Sequence, residues 1–349
     1  MAEWMIYGAN GYTGRLITAM AQARGHAPIV AGRHPQRVLE LSRATGLPSR
    51  IFDLKEPLLV ARQLEGVAAV VHCAGPFSAT ARPMLDACLK ARVHYLDITG
   101  EIDVFEMIHG RDQELRQAGV AAIPGVGFDV VPTDCLAAML HARLPDAESL
   151  ALAFIVRGGS TSPGTAKTTV EALAKGGRIR QAGLLKTVPA GYKTRQIPFP
   201  GGAAMAVSIP WGDVSTAFFS TGIPNIEVYL GMSKGAAAVT KTMGHVRWLV
   251  ALPPVTNFLK RRIERHVAGP SVERRARSVT SLWGEARNSR GQAVSLRLQT
   301  PDGYTLTADS AVRAVEHLLA GPARVGALTP SRAFGADFVK ELEGVELLP

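Results

Sequence analysis

Three glycines near the start of the chain have the spacing of a turn that contacts a nucleotide diphosphate. They form the pattern G-x-x-G-x-x-G between a short apolar stretch, predicted to be a strand, and a stretch whose apolar residues have helical spacing. The turn must be tight, the backbone must approach the phosphates without a Cβ, and the helix must pack closely on the strand. The helix start then offers backbone N–H groups and its positive dipole end. The alternative is a purely structural turn. The residues predicted to bind are Gly8, Asn10, Gly11, Tyr12, Thr13 and Gly14.

The residue after the second predicted strand distinguishes between two dinucleotides. A site for NAD usually has an Asp or Glu there, about 20 residues past the glycine turn, for the ribose 2′-hydroxyl. This chain has Arg33 instead, and a guanidinium suits a 2′-phosphate through charge-assisted hydrogen bonds. Arg33, with Arg37 as a helper, therefore predicts NADP(H); a solvated surface charge is the alternative. Asp53, after the third strand, is expected to meet the adenine amino group.

Another turn ends the fourth predicted strand, at the edge where open α/β sheets bind ligands. It comprises Ala74, Gly75, Pro76 and Phe77. Its glycine would let the backbone approach the nicotinamide ribose, while Pro76 and Phe77 would form an apolar wall. Gly-Pro as a simple strand terminator is an equal alternative.

A nicotinamide coenzyme transfers hydride, and reduction of a substrate by hydride transfer also needs a proton donor. Four side chains are candidates for that catalytic role. Tyr95, Asp97 and Glu101 lie on or just after the fifth predicted strand, and Asp129 follows the sixth. Asp97 and Glu101 are also suited to cap the helix that follows them, and Asp129 a helix that starts near Pro132. Tyr95 is also suited to pack in the core, so structural roles stay open. The nine histidines show no HExxH spacing, so we expect no metal.

Strand and helix patterns alternate over the first 130 residues or so, which predicts a doubly wound parallel sheet. The predicted strands include Glu3–Tyr7, Pro28–Ala31, Arg50–Asp53, Ala68–Cys73, Val93–Ile98 and Val120–Ile123. Beyond Gly125 longer strands with few helices indicate a second, α+β domain on a mostly antiparallel sheet. The fold class is thus α/β, with a Rossmann domain over 1–130, a substrate domain over 131–310, and a segment 311–349 that packs back toward the first domain.

Composition narrows the class of protein. The 349 residues are 47% hydrophobic and 19% charged, as in a globular protein of two domains. Three cysteines without CxxC spacing argue against disulfides and zinc. The first 15 residues lack an apolar leader, so we expect a reducing cytoplasm.

The net charge of +10 suggests an anionic partner. Part of it follows the apolar stretch Val246–Leu259, in a basic run from Lys260 to Arg277. The segment 246–265 is either a partly buried stretch with a solvated basic end, or a contact with a membrane surface or an acidic carrier protein. No nucleic-acid-reading motif accompanies it. A homo-oligomer is compatible with the sequence.

A series of short motifs follows one order along the chain: GANGYTG, AGR, CAGPF, YLDITGE and PGVGFDVVPTD, followed by RARS, LWGEA, PDGY and GALTP. Together they resemble a known family, the saccharopine dehydrogenase-like oxidoreductases, and within it the bacterial trans-acting enoyl reductases. The resemblance implies a Rossmann domain, an α+β substrate domain and NADP(H). Its enoyl reductase branch implies C=C reduction on lipid or polyketide-like intermediates. The expected substrate is a small molecule or an acyl group, either free or bound to a carrier. Imine or carbonyl reduction of a small polar substrate, and a non-catalytic NADP(H) sensor, are the alternatives.

Overall fold

The computed structural model describes residues 3–159, 162, 164, 166, 176–233, 235–237, 240, 255–256, 258, 261–262 and 269–348. The chain divides into two compact units. The first comprises Met1–Val131 and Tyr304–Phe338, and the second comprises Pro132–Gly303 and Val339–Pro349. The expected membrane or carrier contact over 246–265 falls almost wholly outside the described residues.

A parallel sheet of seven strands forms the first unit, in the order β15-β6-β5-β4-β1-β2-β3. Its strands are β1 (Trp4–Tyr7), β2 (Ile29–Gly32), β3 (Ser49–Ile51), β4 (Ala69–His72), β5 (His94–Asp97), β6 (Ala121–Ile123) and β15 (Gly326–Ala327). Tyr7 pairs with Ala31 on one side and His72 on the other, and His72 pairs with Asp97. The carboxyl ends of these strands therefore meet at one edge of the sheet.

Helices connect these strands, and their apolar faces bury the sheet. They are α1 (Tyr12–Ala23), α2 (Pro35–Thr45), α3 (Pro57–Gln63), α4 (Phe77–Ala91), α5 (Ile102–His109) and α6 (Asp112–Ala118). In α1 the buried residues Gly14, Ile17 and Ala21 recur at helical spacing. Strands β1 and β4 are buried throughout, as expected for parallel strands covered on both faces. The predicted Rossmann sheet is confirmed.

The C-terminal part of the first unit contains α10 (Gly303–Leu319) and α11 (Pro330–Phe334). Arg24, at the end of α1, joins α10 through Glu316 at 2.7 Å and Asp309 at 3.2 Å. The sequence-based boundary at 311 cuts this helix, whereas the first unit resumes at Tyr304. The expected return of 311–349 toward the first domain also differs at its end, because Val339–Pro349 lies with the second unit.

The second unit is built on a sheet of nine strands, which is mostly antiparallel as predicted. Its main path runs β10-β11-β12-β7-β13-β14-β16, with β8 on β12 and β9 on β8. The strands are β7 (Ser149–Arg157), β8 (Gly177–Gln181), β9 (Leu184–Val188), β10 (Thr194–Phe199), β11 (Gly202–Ile209), β12 (Asn225–Gly231), β13 (Val279–Arg287), β14 (Ala293–Pro301) and β16 (Glu346–Leu348). Only β12 and β7 pair in parallel among these described strands. The helices in the described part of this unit include α7 (Val131–Arg143), α8 (Asp213–Thr221) and α9 (Val272–Ala276).

Within the described part of the chain, no helix has both the length and the apolar character needed to cross a bilayer.

Candidate functional site

The glycine turn between β1 and α1 has no room for a side chain at Gly8 or Gly14. Gly8 has a φ of +84°, and a Cβ there would lie 2.8 Å from the Ala74 nitrogen. A Cβ on Gly14 would lie 2.8 Å from the Ala9 Cα and would overlap the Gly8 carbonyl oxygen. The Gly8 amide donates to the Ala31 carbonyl at 2.8 Å, which fastens the turn to β2. The turn is therefore as tight, and α1 as close to its strand, as the motif predicts.

The N-terminus of α1 has the features of an anion-binding site. Gly11 is the N-cap in an extended conformation (φ −74°, ψ 170°), no side chain caps the helix, and the first turn contains no acidic residue. Tyr12 and Thr13 are partly exposed in that turn. The Tyr12 ring packs edge-on against Tyr304 of α10, with centroids 5.1 Å apart. Backbone N–H groups and the helix dipole are thus directed at one point without a competing carboxylate.

Asn10 and Arg15 complete this turn. The side-chain oxygen of Asn10 lies over Gly32, where an added Cβ would approach it to 2.8 Å. Arg15 is exposed, and its Nε donates to the Asn10 carbonyl at 3.2 Å. Arg15 therefore adds a positive charge beside the glycine turn that sequence reasoning missed.

Two charged residues predicted to contact the adenosine half lie near the carboxyl end of β1. The pKa of Tyr7 is raised to about 12, mainly because the hydroxyl is buried. The negative charge of Asp53 also raises this pKa, whereas the positive charge of Arg33 lowers it. Asp53 and Arg33 are therefore close enough to act on the Tyr7 hydroxyl, which donates to the Phe52 carbonyl at 3.0 Å. The exposed Arg33 donates from Nε to His34 Nε2 at 3.2 Å.

Helix α2 begins directly after Arg33 and His34. Its first turn contains no acidic residue, and Arg37 is exposed within it. The position where an NAD site has its carboxylate thus has cationic side chains and a helix N-terminus instead.

The turn after β4 is held by side chains on both sides. It contains Ala74 and Phe77, which are partly buried, and Gly75 and Pro76, which are exposed and joined by a cis peptide bond. The Thr80 hydroxyl lies 2.7 Å from the Ala74 carbonyl oxygen and 3.0 Å from that of Pro76.

A buried histidine supports this turn from beneath. His72 Nε2 lies 3.0 Å from the Thr80 oxygen, and its ring packs edge-on against Phe77 at 5.3 Å. Burial lowers the pKa of His72 to about 3. The imidazole therefore stays neutral and orients the turn instead of exchanging protons. Neither His72 nor Thr80 was predicted, because no motif marks them.

Two of the four candidate proton donors are enclosed and bonded to each other. The Tyr95 hydroxyl donates to Asp97 Oδ2 at 2.6 Å, and both side chains are fully buried. Asp97 Oδ1 accepts from the amides of Thr99 at 3.0 Å and Gly125 at 2.8 Å. Burial raises the pKa of Asp97 to about 6, although these hydrogen bonds lower it. Burial also raises the pKa of Tyr95 well above its ordinary value. This pair joins the ends of β5 and β6.

The other two candidates lie closer to the surface. Glu101 is partly buried and accepts from the amides of Phe77 at 2.8 Å and Ser78 at 2.9 Å, so it caps α4. Asp129 is also partly buried, and its carboxyl group rests against Gly100. Desolvation raises the pKa of Asp129 to about 7. The pKa of Asp129 therefore lies closer to neutrality than that of Asp97.

The described residues contain no group of three or more His, Cys, Asp or Glu side chains arranged to hold a metal ion.

These features are typical of a dinucleotide-binding domain. They are a Rossmann sheet, a glycine turn, an α1 whose first turn contains no acidic residue, and Arg33 after β2. Comparison with known proteins specifies the type of domain. Residues 4–123 match the family model of the saccharopine dehydrogenase NADP binding domain. The N-terminal unit is thus similar to that domain, and this similarity indicates NADP(H) as the coenzyme.

Similar proteins carry the names that the motifs suggest. A trans-acting enoyl reductase of Mycobacterium ulcerans (strain Agy99) is 28% identical over 152 residues, 40% of this chain and 36% of that protein. A saccharopine dehydrogenase-like oxidoreductase of Rattus norvegicus is 31% identical over 153 residues, 38% of this chain and 35% of that protein. The matched segments thus span about a third of the length of these relatives.

A solved structure shares the fold over the full length. The apo histidine-tagged saccharopine dehydrogenase (L-Glu forming) from Saccharomyces cerevisiae covers 100% of both chains, with a TM-score of 0.66 and 11% identity. At this identity the solved structure shows a shared fold. The predicted resemblance to saccharopine dehydrogenase-like oxidoreductases is confirmed by the family model and the named relatives.

Proposed function

We propose that this protein is an NADP(H)-dependent oxidoreductase that reduces an activated C=C bond on a lipid or polyketide-like acyl substrate. The observation that carries the proposal is the glycine turn, where Gly8 and Gly14 exclude any Cβ and α1 begins without a carboxylate. These features fit a diphosphate bridge. The enoyl reductase branch is supported by the M. ulcerans relative, which is 28% identical over 40% of the chain.

The residues present fit the coenzyme along its length. The amides at the start of α1 would hold the diphosphate, Arg33 and the start of α2 would hold the 2′-phosphate, and Asp53 would meet the adenine. Residues 74–77 would line the nicotinamide ribose. Bound NADPH would supply the hydride.

The chain itself must supply the proton, and we assign that role to Asp129. A carboxyl group with a pKa of about 7 is about half protonated at neutral pH, which suits a general acid. Asp97 is a less suitable donor because it is fully buried and its oxygens accept three hydrogen bonds. We assign Tyr95 and Asp97 to holding the ends of β5 and β6.

A second candidate reaction is reduction of an imine or carbonyl group of a small polar substrate. The R. norvegicus relative, named for its likeness to saccharopine dehydrogenase, supports it. The same coenzyme site and the same Asp129 would serve either reaction, so the substrate decides between them.

The test is NADPH oxidation, followed by absorbance, with enoyl thioesters in one series and imino or keto acids in the other. We expect turnover of enoyl thioesters, and a fall of about 10²-fold or more in kcat for Asp129→Asn. Glu40→Gln, an exposed acid on α2, is the control. Turnover of imino or keto acids without turnover of enoyl thioesters would contradict C=C reduction and support the second reaction. NADPH binding without turnover of any substrate would favour a sensor.

A further inference from the structure

The segment that leaves β5 contacts both neighbouring loops at the carboxyl edge of the first sheet. We propose that Thr99, Gly100 and Glu101 form a positioning bracket that sets the 74–77 turn and Asp129 in place for the reaction. This inference rests on the proposed function, because it assigns the coenzyme to the turn and the proton to Asp129.

On the β4 side the bracket acts through one carboxylate. Helix α4 begins at Phe77, and its N-cap, Pro76, provides no side-chain hydrogen bond. Glu101 satisfies the amides of Phe77 and Ser78 with its two oxygens, at 2.8 and 2.9 Å. A carboxylate at a helix N-terminus is also favoured by the dipole. Although Glu101 is itself the N-cap of α5, its side chain makes no capping bond there. The contact therefore fixes a different loop.

The bracket is anchored in the interior of the unit. The Glu101 amide donates to the Thr99 hydroxyl at 3.1 Å, and Thr99 is fully buried. The Thr99 amide in turn donates to Asp97, which also accepts from the Gly125 amide. Buried hydrogen bonds of this kind are costly to break without replacement. Glu101 is therefore held in position, and the ends of β5 and β6 are held with it.

On the β6 side, Gly100 leaves space for the carboxyl group of Asp129 because it has no side chain. A Cβ on Gly100 would lie 3.1 Å from Asp129 Cγ and still closer to Oδ2. Gly100 does not adopt a positive φ, so lack of space, and not backbone conformation, requires glycine at this position. The Asp129 carboxyl group can occupy its desolvated position only because residue 100 lacks a Cβ.

Two substitutions separate these actions. Glu101→Gln replaces one acceptor oxygen with a donor, so we expect the Kd for NADPH to rise about tenfold while the titration of Asp129 stays unchanged. Gly100→Ala displaces the Asp129 carboxyl group toward solvent, so its pKa should fall by about one unit while the Kd for NADPH stays within twofold. Glu40→Gln is the control and should change neither quantity.

Neither readout requires turnover. Fluorescence titration gives the Kd for NADPH, and carbon NMR of ¹³C-labelled aspartate gives the Asp129 titration. A role in stability alone would lower the Tm of both variants and leave both quantities unchanged, which would overturn the proposal. If Asp129→Asn remains fully active but the two shifts occur, the proton assignment fails and the bracket stands.

Amide hydrogen exchange in the wild-type protein covers the case in which a variant does not fold. The Phe77 and Ser78 amides should exchange at least tenfold more slowly than expected for the uncapped start of a helix, because Glu101 binds both. Unprotected exchange at both amides would overturn the bracket.

Discussion

Replacing Arg33 with alanine should remove most of the discrimination between NADPH and NADH. Arg33 is exposed after β2, and the first turn of α2 has no acidic residue that would compete with a phosphate. One charge-assisted contact gives about 1.4 kcal/mol, or tenfold in Kd, and solvent exposure argues against much more. We therefore expect wild-type protein to prefer NADPH by about tenfold.

Titration calorimetry of the two coenzymes measures this preference directly. In Arg33→Ala the Kd for NADPH should rise about tenfold while the Kd for NADH stays nearly constant, because NADH has no 2′-phosphate. Arg43→Ala is the matched control, since Arg43 is also an exposed arginine but lies in the last turn of α2, at the opposite end from Arg33. Added salt should weaken the NADPH preference of the wild type. An unchanged preference in Arg33→Ala would remove Arg33 from the coenzyme site and refute this reasoning.

Three further predictions concern the first unit. Gly14→Ala should destabilise the protein by about 1–3 kcal/mol in urea unfolding and abolish NADPH binding, because its Cβ would overlap the glycine turn; Gly321→Ala, where a Cβ meets nothing within 4 Å, should do neither. Arg24→Ala should cost on the order of 2 kcal/mol, because buried Asp309 loses a partner; no loss would mean that α10 does not depend on this contact. The raised pKa of Asp129 means that its contribution to stability is complete below about pH 4 and is lost as the pH rises through about 7. Asp129→Asn should therefore flatten the fall in Tm over that range, and an unchanged slope would contradict the pKa.

The sequence predicts the first sheet well because its signals are local. The apolar run before Cys73 and the glycines at 8, 11 and 14 each specify a strand or turn without help from distant residues. The strands of the second unit are harder to predict from the sequence. Strand β9 is largely exposed and β10 alternates, so neither has a strong apolar run, and neither was predicted. The assignment of Val339–Pro349 to the second unit also escapes sequence reasoning, because β16 pairs with a strand more than 40 residues earlier.

The candidate site shows the same division between local and distant signals. The glycine turn and Arg33 follow from spacing, whereas the contact of Glu101 with α4 joins residues 24 positions apart. A capping role was foreseen for Glu101, but the expected helix was the following one. His72 and Thr80 carry no sequence signal, because an apolar strand that ends in histidine looks like an ordinary core strand.

Backbone amide NMR of the glycine turn during titration with NADPH tests the central claim most directly. We predict saturable shifts of the Gly11, Thr13 and Gly14 resonances, larger than those of Gly321, which lies outside the site. NADPH binding that leaves those three resonances in place, or no saturable change anywhere in the spectrum, would contradict the assignment of the diphosphate to the start of α1.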